Sequence, residues 1–206
     1  MEHVVFVHGL WMLGPDMAIL RKRVRQCGFK VHQFSYPTVR KSPQESAIQL
    51  HAYIKKLNVA PLHFVAHSLG GLVVRHLFHL YPEQRSGNVL TLGTPHAGSE
   101  VAAQLSHSAW GRLILGKSVQ QGLLGDVPEW RASNPLGVIA GAGSVGIGRL
   151  LAHFSEENDG TIAVSETKLK GSVAHLTMPC SHIGLIYNKA VAEQVCTFLK
   201  QGHFTN

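Results

Sequence analysis

Residues 62 to 71 constrain the fold of this chain more tightly than any other segment. They read Leu-His-Phe-Val-Ala-His-Ser-Leu-Gly-Gly, an apolar run that leads into Ser68. The run predicts a buried strand, and the residues after the serine predict a helix. Ala66 and Gly70 are small, as a tight strand-to-helix turn requires, because larger side chains would collide with a neighbouring strand. Such a turn exposes a serine nucleophile, whereas the alternative is an ordinary N-cap serine at a helix start.

A second strand signal, Val4 to Val7, ends in His8-Gly9-Leu10. An uninterrupted run of β-branched and aromatic residues is typical of a buried parallel strand. The glycine allows a close turn, so we expect the backbone N–H groups of Leu10 and Leu69 to converge on a reacting carbonyl oxygen. These two N–H groups are the predicted oxyanion hole. The residues that follow the first donor are predicted to contact the substrate: Trp11 and Met12.

Four sequence blocks, taken together, resemble a known family. They are Val7–Leu10, Ala66–Gly71, Gly93–Ser99 and His182–Tyr187. In this order they are similar to the α/β-hydrolases of the lipase and esterase group, and most of all to the small, compact bacterial lipases. Ala66 departs from the glycine that is commoner at that position. The resemblance implies a catalytic serine, then an acid, then a histidine along the chain, which places Ser68 first and His182 last.

The chain contains 14 histidines, and His182 is the best placed to activate the serine. It follows an apolar segment over 173–178 and a short loop, so it is expected at the carboxyl edge of a sheet. Without the serine turn, His182 would be interpreted as a polar loop residue at a helix start. His67 is expected to line the rim of the site, and His8 to brace the oxyanion loop. His96 is expected either to line the acyl pocket or to have a structural role.

Asp159 is the predicted acid. The role requires a carboxylate beyond a strand, hydrogen-bonded to the histidine so that it fixes the tautomer. Asp159 follows the predicted strand 136–141 in a tight Asp-Gly turn, which suits a presented side chain. Glu156 and Glu157 are alternatives if the loop folds differently, whereas Asp126 lies before the strand and is typical of a loop or capping residue. The simpler interpretation is that Asp159 only closes a turn.

Strand and helix signals alternate along the chain, which favours a parallel sheet with helices on both faces. Strands are predicted at 3–8, 30–34, 62–66, 88–92, 136–141 and 172–177, and helices at 16–27, 43–57, 69–80 and 188–200. The second helix opens with Ser42-Pro43-Gln44-Glu45, a capping box with proline at the first helical position. The predicted fold class is α/β, a reduced α/β-hydrolase fold of about six mostly parallel strands, because the first strand leads straight into the oxyanion loop. One domain is expected over residues 1–206.

Residues 99–135 join two predicted strands through a connection longer than a simple crossover needs. We call them the cap segment. The segment contains apolar residues that would pack over Ser68: Leu105, Trp110, Leu113, Ile114, Leu115, Leu123, Leu124 and Trp130. A lid or cap that admits acyl chains is one interpretation, and a crossover helix with extra turns is the other.

The charge pattern says little about partners. The formal net charge is +7, yet only 15% of the residues are charged, against about 25% in a typical protein. The one dense cluster, Arg21-Lys22-Arg23-Val24-Arg25, indicates a solvated helix face or a weak peripheral contact with lipid surfaces. No motif supports nucleic-acid binding. The glycine-rich residues 141–148 lack the lysine of a P-loop, and neither a cofactor nor a metal is predicted.

The cysteines and the hydropathy pattern bear on the compartment. Cys27, Cys180 and Cys196 are sparse and odd in number, so no disulfide is predicted. No apolar stretch approaches the ~20 residues of a membrane span, and the N-terminus lacks a signal-peptide pattern. We therefore expect a cytoplasmic protein, or a secreted one if a leader has been removed.

The sequence thus predicts a serine hydrolase that cleaves carboxylic esters with Ser68, His182 and Asp159 through an acyl-enzyme. The expected substrate is a small-molecule or lipid ester. An acyltransferase or thioesterase with the same triad is an alternative, as is a non-catalytic module that binds lipid or a protein partner. Activity is expected to fall below roughly pH 6–7, where a histidine base takes up a proton. Acyl length, the alcohol group and the oligomeric state are left open.

Overall fold

The computed structural model describes residues 1–83, 87–143 and 156–205. Its strands are β1 (His3–Val7), β2 (Lys30–Phe34), β3 (Leu62–His67), β4 (Val89–Leu92), β5 (Leu136–Gly141) and β6 (Ala174–Met178). They form one sheet in the order β2-β1-β3-β4-β5-β6, and every neighbouring pair is parallel. The predicted α/β class with six strands is confirmed.

The helices cover both faces of this sheet, as predicted. They are α1 (Ala18–Gln26), α2 (Pro43–Leu57), α3 (Leu69–Leu80), α4 (Glu100–Ser106), α5 (Ala109–Leu115), α6 (Gly184–Tyr187) and α7 (Lys189–Gln201). Because side chains alternate along a strand, Val5 and Val7 of β1 pack with α2 and α3, while Val4 and Phe6 pack with α1 and α7.

The predicted bounds of α2 and α3 agree with the structure, and α2 has the predicted capping box. The Glu45 amide donates to Ser42 Oγ at 3.2 Å, and the Ser42 amide donates to Glu45 Oε2 at 2.8 Å. The helix α1 is shorter than the predicted 16–27 because Gly14–Met17 first form a 3-10 helix. The sequence does not predict α4, α5 and α6, since each has seven residues or fewer and too little periodicity to detect.

The strand order creates a crevice at one edge of the sheet. Since β1 lies between β2 and β3, the connection that leaves β1 runs to one face and the connection that leaves β3 runs to the other. In open parallel sheets, ligands bind outside the carboxyl ends of the strands where such connections diverge. Here the crevice lies between residues 8–12 and Ser68.

A disulfide joins two helices on one face, and this corrects the prediction that the cysteines form none. Cys27 caps the C-terminus of α1 and Cys196 lies on α7, with their Cα atoms 6.2 Å apart and a sequence separation of 169 residues. The pairing is invisible in the sequence because only the packing of α1 against α7 brings the two cysteines together. Cys180 is a buried free thiol whose Sγ accepts a hydrogen bond from Asn188 Nδ2 at 3.1 Å.

No helix in the described part of the chain is long and apolar enough to cross a membrane. Within the glycine-rich stretch 141–148, residues 144–148 lie outside the described residues.

Several histidines are enclosed by the fold, and burial lowers the pKa of each: His8, His63, His67, His76 and His96. For His67 the pKa falls to about 3, chiefly because burial disfavours the imidazolium and secondly because His182 is nearby. A histidine in an unfolded chain titrates near ~6.5. Below that pH, the unfolded chain therefore binds protons that the folded chain does not bind.

The disulfide predicts a thiol count. Unfolded protein without reductant should show one free thiol, from Cys180, and three after reduction. Because the crosslink closes a long loop, we expect the variant Cys27→Ser with Cys196→Ser to melt roughly 5–15 °C lower. Thiol titration and thermal unfolding followed by circular dichroism measure the two quantities, with Cys180→Ser as the control. Three titratable thiols before reduction would contradict the pairing.

The buried histidines predict acid sensitivity. Stability should be fully present above about pH 6.5 and should fall as the pH drops towards 3, since the folded-state pKa of His67 lies below its unfolded value. Because His67 stays neutral in the folded state through this window, it contributes a slope of up to about 1.4 kcal/mol per pH unit. Urea unfolding at pH 6.0, 5.5 and 5.0 should give a shallower slope for His67→Gln than for wild type. The variant His107→Gln, at an exposed histidine, is the control, and an unchanged slope in His67→Gln would refute the assignment.

Candidate active site

Ser68 stands on a tight turn between β3 and α3. Its φ is 53° and its ψ is −123°, a left-handed backbone that a non-glycine residue rarely adopts. The Ser68 amide donates to the Leu92 carbonyl at 2.9 Å, and Thr94 Oγ1 donates to the Ser68 carbonyl at 2.9 Å. The serine makes no side-chain cap hydrogen bond to α3. The hydroxyl is therefore not used to cap the helix, in contrast to the alternative left open by the sequence.

Gly70 allows this turn to pack against β1. A Cβ at this position would lie 2.4 Å from the Val7 carbonyl oxygen and 2.7 Å from that of His8. Because both contacts are with backbone atoms, no side-chain adjustment would relieve them. The sequence argument for small residues around Ser68 thus has its physical reason in the contact between α3 and the end of β1.

Asp159 and His182 form a buried pair. The His182 Nδ1 lies 2.7 Å from Asp159 Oδ2, and the His182 amide donates to the Asp159 carbonyl at 2.8 Å. The second carboxylate oxygen accepts hydrogen bonds from the amides of Thr161 and Ile162, at 2.9 and 2.7 Å. These bonds compensate the burial of a fully enclosed carboxylate. With Nδ1 as donor to the carboxylate, Nε2 is the nitrogen free to accept a proton.

Gly93, after β4, makes room for this pair. A Cβ there would lie 3.0 Å from His182 Nδ1 and 3.1 Å from Asp159 Oδ2. Gly93 and Thr94, which supports the Ser68 turn, were not predicted as functional residues. Their position directly after a predicted strand is the only local signal that would have suggested them.

The alternative acids lie elsewhere. Asp126 accepts hydrogen bonds from the amides of Gln121 and Gly122, at 2.8 and 2.9 Å, and closes a turn in the cap segment. Glu156 accepts a hydrogen bond from Ser165 Oγ. Neither carboxylate is bonded to His182.

Two backbone N–H groups are available beside Ser68. Neither Leu10 N–H nor Leu69 N–H finds an acceptor among the described residues. Leu69 is the first residue of α3, where helical N–H groups have no partner within the helix. Trp11 has a left-handed φ of 58°, and its amide donates to Thr38 Oγ1 at 3.2 Å. This bond fixes the backbone of the loop that carries Leu10.

His8 is buried beneath the same loop. Its Nδ1 lies 3.1 Å from the Gly9 carbonyl, and its Nε2 accepts a hydrogen bond from the Tyr36 amide at 3.3 Å. The Tyr36 hydroxyl donates to the His8 carbonyl at 2.9 Å. Because Nδ1 donates and Nε2 accepts, His8 holds the loop as a neutral imidazole, consistent with the lowering of its pKa by burial.

A cavity of about 460 Å³ opens over Ser68 and His182. The predicted contact residues Trp11, Met12 and His67 line it, as does Leu10, a predicted oxyanion donor. The remaining lining comes mainly from the cap segment and the loop of the acid: Ser99, Val101, Ala102, Leu105, Ile114, Leu115, Leu123, Thr161, Ile162 and Ile183. No Asp, Glu, Lys or Arg side chain is among these lining residues. The cavity therefore suits an uncharged, mainly apolar ligand.

His67 is buried between the serine turn and His182. Its Nε2 lies 3.0 Å from the His182 carbonyl and, facing an acceptor, carries the proton. The Nδ1 finds no partner among the described residues. The centroids of the His67 and His182 rings lie 4.7 Å apart. Because burial keeps His67 neutral, it does not oppose a positive charge on His182.

His96, expected either to line the acyl pocket or to have a structural role, is not among the described residues that line the cavity. Its Nε2 lies 3.0 Å from Thr91 Oγ1, and its carbonyl accepts a hydrogen bond from Arg75 Nη1 at 2.7 Å. The Arg75 guanidinium also donates to the Pro128 carbonyl, at 3.1 and 2.7 Å. These hydrogen bonds hold His96 in a buried network with Thr91 and Arg75. This position agrees with the second expectation for His96, a structural role.

The cap segment forms one wall of the cavity. It contributes α4 and α5, and the indole Nε1 of Trp11 donates to the Ile114 carbonyl at 2.9 Å. Trp130, near its end, is instead buried in the core, with its ring 4.8 Å from that of Phe78. Opening of the segment as a lid stays a prediction.

No group of three or more His, Cys, Asp or Glu side chains within residues 1–83, 87–143 and 156–205 is arranged to hold a metal ion.

The fold is similar to several solved structures. The mature lipase BlEst2 from Bacillus licheniformis matches with a TM-score of 0.75 at 20% identity, over 96% of this chain and 90% of that chain. The phospholipase PlaB from Legionella pneumophila, in complex with thio-NAD, matches at 0.72 and 19% identity, over 98% of this chain and 58% of that chain. The metagenomic carboxyl esterase MGS0156 matches at 0.68 and 18% identity, over 87% of this chain and 64% of that chain.

This chain thus spans less than two-thirds of the length of the last two proteins. At these identities the similarity shows the fold, an α/β-hydrolase-type fold. A comparison with curated proteins finds no match.

A family model matches residues 5–140, which run from β1 to β5 and include Ser68 and both predicted oxyanion donors. The match covers more than half of the 206 residues. The chain therefore belongs to the family described as Domain of unknown function (DUF7379), and its fold is of the α/β-hydrolase type.

Proposed function

We propose that this protein is a serine hydrolase that cleaves uncharged carboxylic esters through an acyl-enzyme. One observation carries the proposal: Ser68 stands on a left-handed turn in the same cavity as His182, whose Nδ1 lies 2.7 Å from the buried Asp159. A nucleophile, a base and a group that orients the base are the parts that acyl transfer requires. The fold shared with lipases and esterases supports the same reaction class.

In the proposed acylation, Ser68 Oγ attacks the ester carbonyl carbon while His182 Nε2 takes the hydroxyl proton. The N–H groups of Leu10 and Leu69 donate to the carbonyl oxygen as it becomes negative. The C–O bond to the alcohol then breaks, and His182 returns the proton to the departing alkoxide. Water repeats the steps on the acyl-enzyme, releasing the acid and free Ser68.

The chemistry of the cavity sets the expected substrate. The described residues that line it include no charged side chain, so an acyl group with a charge would lose its hydration without gaining a partner among them. The leucines and isoleucines contributed by the cap segment favour an aliphatic acyl chain. We therefore expect neutral p-nitrophenyl esters of aliphatic acids to be turned over faster than esters of dicarboxylic acids.

The nucleophile is tested by Ser68→Ala. We expect this variant to lose both turnover of p-nitrophenyl butyrate and covalent labelling by a fluorophosphonate, because both need the Ser68 hydroxyl. Kinetics and mass spectrometry of the labelled protein measure the two losses. The matched control is Ser172→Ala, which removes a hydroxyl bonded to the Leu169 carbonyl, away from the cavity. If Ser68→Ala is folded and still reacts like wild type, the proposed function is wrong.

The acid is tested by Asp159→Asn. Asparagine keeps the shape but places an N–H donor or a weaker acceptor against His182 Nδ1, so the histidine favours the wrong tautomer. A fall in kcat of roughly 10⁴ is expected, with little change in KM. The control Asp126→Asn alters a carboxylate that also accepts two backbone amides but touches no histidine. Equal activity of the two variants would remove Asp159 from the mechanism.

A further inference from the structure

The helix α5 presents an apolar stripe to solvent. Trp110, Leu113 and Ile114, spaced by three and four residues, lie on one side of the helix and are 77%, 67% and 41% exposed. Gly111 and Leu115 face the opposite way and are buried. We call the three exposed residues the outer face. Folding therefore leaves unburied a stripe that an ordinary surface helix would turn inward.

The outer face is continuous with the mouth of the cavity. Ile114 belongs to both, and Trp11, whose indole donates to the Ile114 carbonyl, lines the cavity and is 53% exposed. Ile183 also lines the cavity and is 50% exposed. A flat apolar phase placed against the outer face would therefore meet the opening that leads to Ser68.

The cap segment carries two cations near the outer face, between Glu100 and Asp126 at the ends of the stretch. Between residues 101 and 125 the sequence contains no Asp or Glu, and its charged residues are Arg112 and Lys117. The Lys117 amide donates to the Val39 carbonyl at 2.9 Å, which brings the exposed Arg40 alongside. Glu45 lies 3.5 Å from Lys117 and offsets part of its charge. Cations around exposed Trp and Leu form the pattern of a surface that binds anionic lipid.

The dense basic cluster on α1 is not at the mouth of the cavity. Arg21 donates to the Gly14 carbonyl and to Gln33 Oε1, and Arg23 donates to the Tyr187 carbonyl. Arg112 of the cap segment is bonded to the protein in a similar way, to the Ser106 and His107 carbonyls. The difference is position: the described residues that line the cavity include cap-segment residues and none of residues 21–25.

We propose that the outer face docks on an anionic phospholipid bilayer, with Trp110 and Leu113 inserted and Arg112 and Lys117 at the headgroups. Indole rings suit this boundary because they are apolar in body and carry one hydrogen-bond donor. Docking places the mouth of the cavity against the lipid. The inference goes beyond ester cleavage, since binding does not require Ser68 to react.

Flotation with lipid vesicles tests the docking. The Ser68→Ala protein is mixed with one of two kinds of vesicle. One contains phosphatidylcholine alone, and the other contains phosphatidylcholine and about 30 mol% phosphatidylglycerol, which makes its surface anionic. We expect binding to the anionic vesicles, weaker binding to the neutral ones, and a marked loss in high salt as screening shortens the reach of each charge. Binding to neither vesicle overturns the proposal.

Paired substitutions locate the surface. Trp110→Ser with Leu113→Ser should weaken binding at least about tenfold. The control pair, Ile48→Ser with Val173→Ser, alters apolar residues elsewhere that are 50% and 59% exposed, and it should not weaken binding. Arg112→Gln with Lys117→Gln should lower the preference for anionic vesicles, about fivefold for each cation. Equal loss in the Trp110/Leu113 and Ile48/Val173 pairs overturns the proposal.

Two further measurements distinguish lipid docking from ester hydrolysis and from dimerisation. In the wild-type background, the Trp110 and Leu113 substitutions should leave turnover of a soluble short-chain ester unchanged, because neither residue lines the cavity. If turnover is absent while vesicle binding persists, the proposed function fails and the docking stands. If sedimentation instead shows a dimer that the Trp110 and Leu113 substitutions dissociate, without vesicle binding, a second copy covers the outer face and the lipid proposal is wrong.

Discussion

The site depends on one close approach between two backbones. A side chain at Gly70 would strike the carbonyl oxygens of Val7 and His8, so the first turn of α3 rests directly on the end of β1. That contact brings the Leu69 amide and the loop of Leu10 to the same carboxyl edge of the sheet. It also helps to hold the left-handed backbone of Ser68. Two hydrogen bonds, one to Leu92 and one from Thr94, stabilise the same backbone.

Charge is confined to one buried pair in this site. Asp159 is fully enclosed, and its charge is balanced by two backbone amides and by His182. Burial keeps His67 neutral beside that pair, and no Asp, Glu, Lys or Arg occurs among the cavity-lining residues that the structure describes. Charges that develop during acyl transfer would thus meet fixed dipoles in a medium of low polarity, where such interactions are strongest.

The cap segment has two apolar sides, and only one is explained by folding. Its inner side, including Leu105 and Leu123, lines the cavity, while Trp110 and Leu113 point to water. Soluble proteins expose single apolar residues freely, but a stripe on one helix beside a cavity mouth indicates an interaction. The same short helix would then serve the substrate on one side and a lipid surface on the other.

Local patterns in the sequence determine the six strands, the turn at Ser68 and the capping box of α2, because each depends on neighbours within a few residues. The Asp-Gly turn after β5 also pointed to Asp159 as the partner of His182, with Glu156 and Glu157 as alternatives, and Asp159 is the carboxylate that contacts His182. Tertiary structure alone decided the pairing of Cys27 with Cys196, since the two helices meet only after folding. It likewise drew His96 into the network of Arg75 rather than into the cavity. The local sequence did not determine which side of α5 is buried either. This helix has only seven residues, with apolar side chains on more than one side, so the packing of the rest of the chain decides which side faces the core.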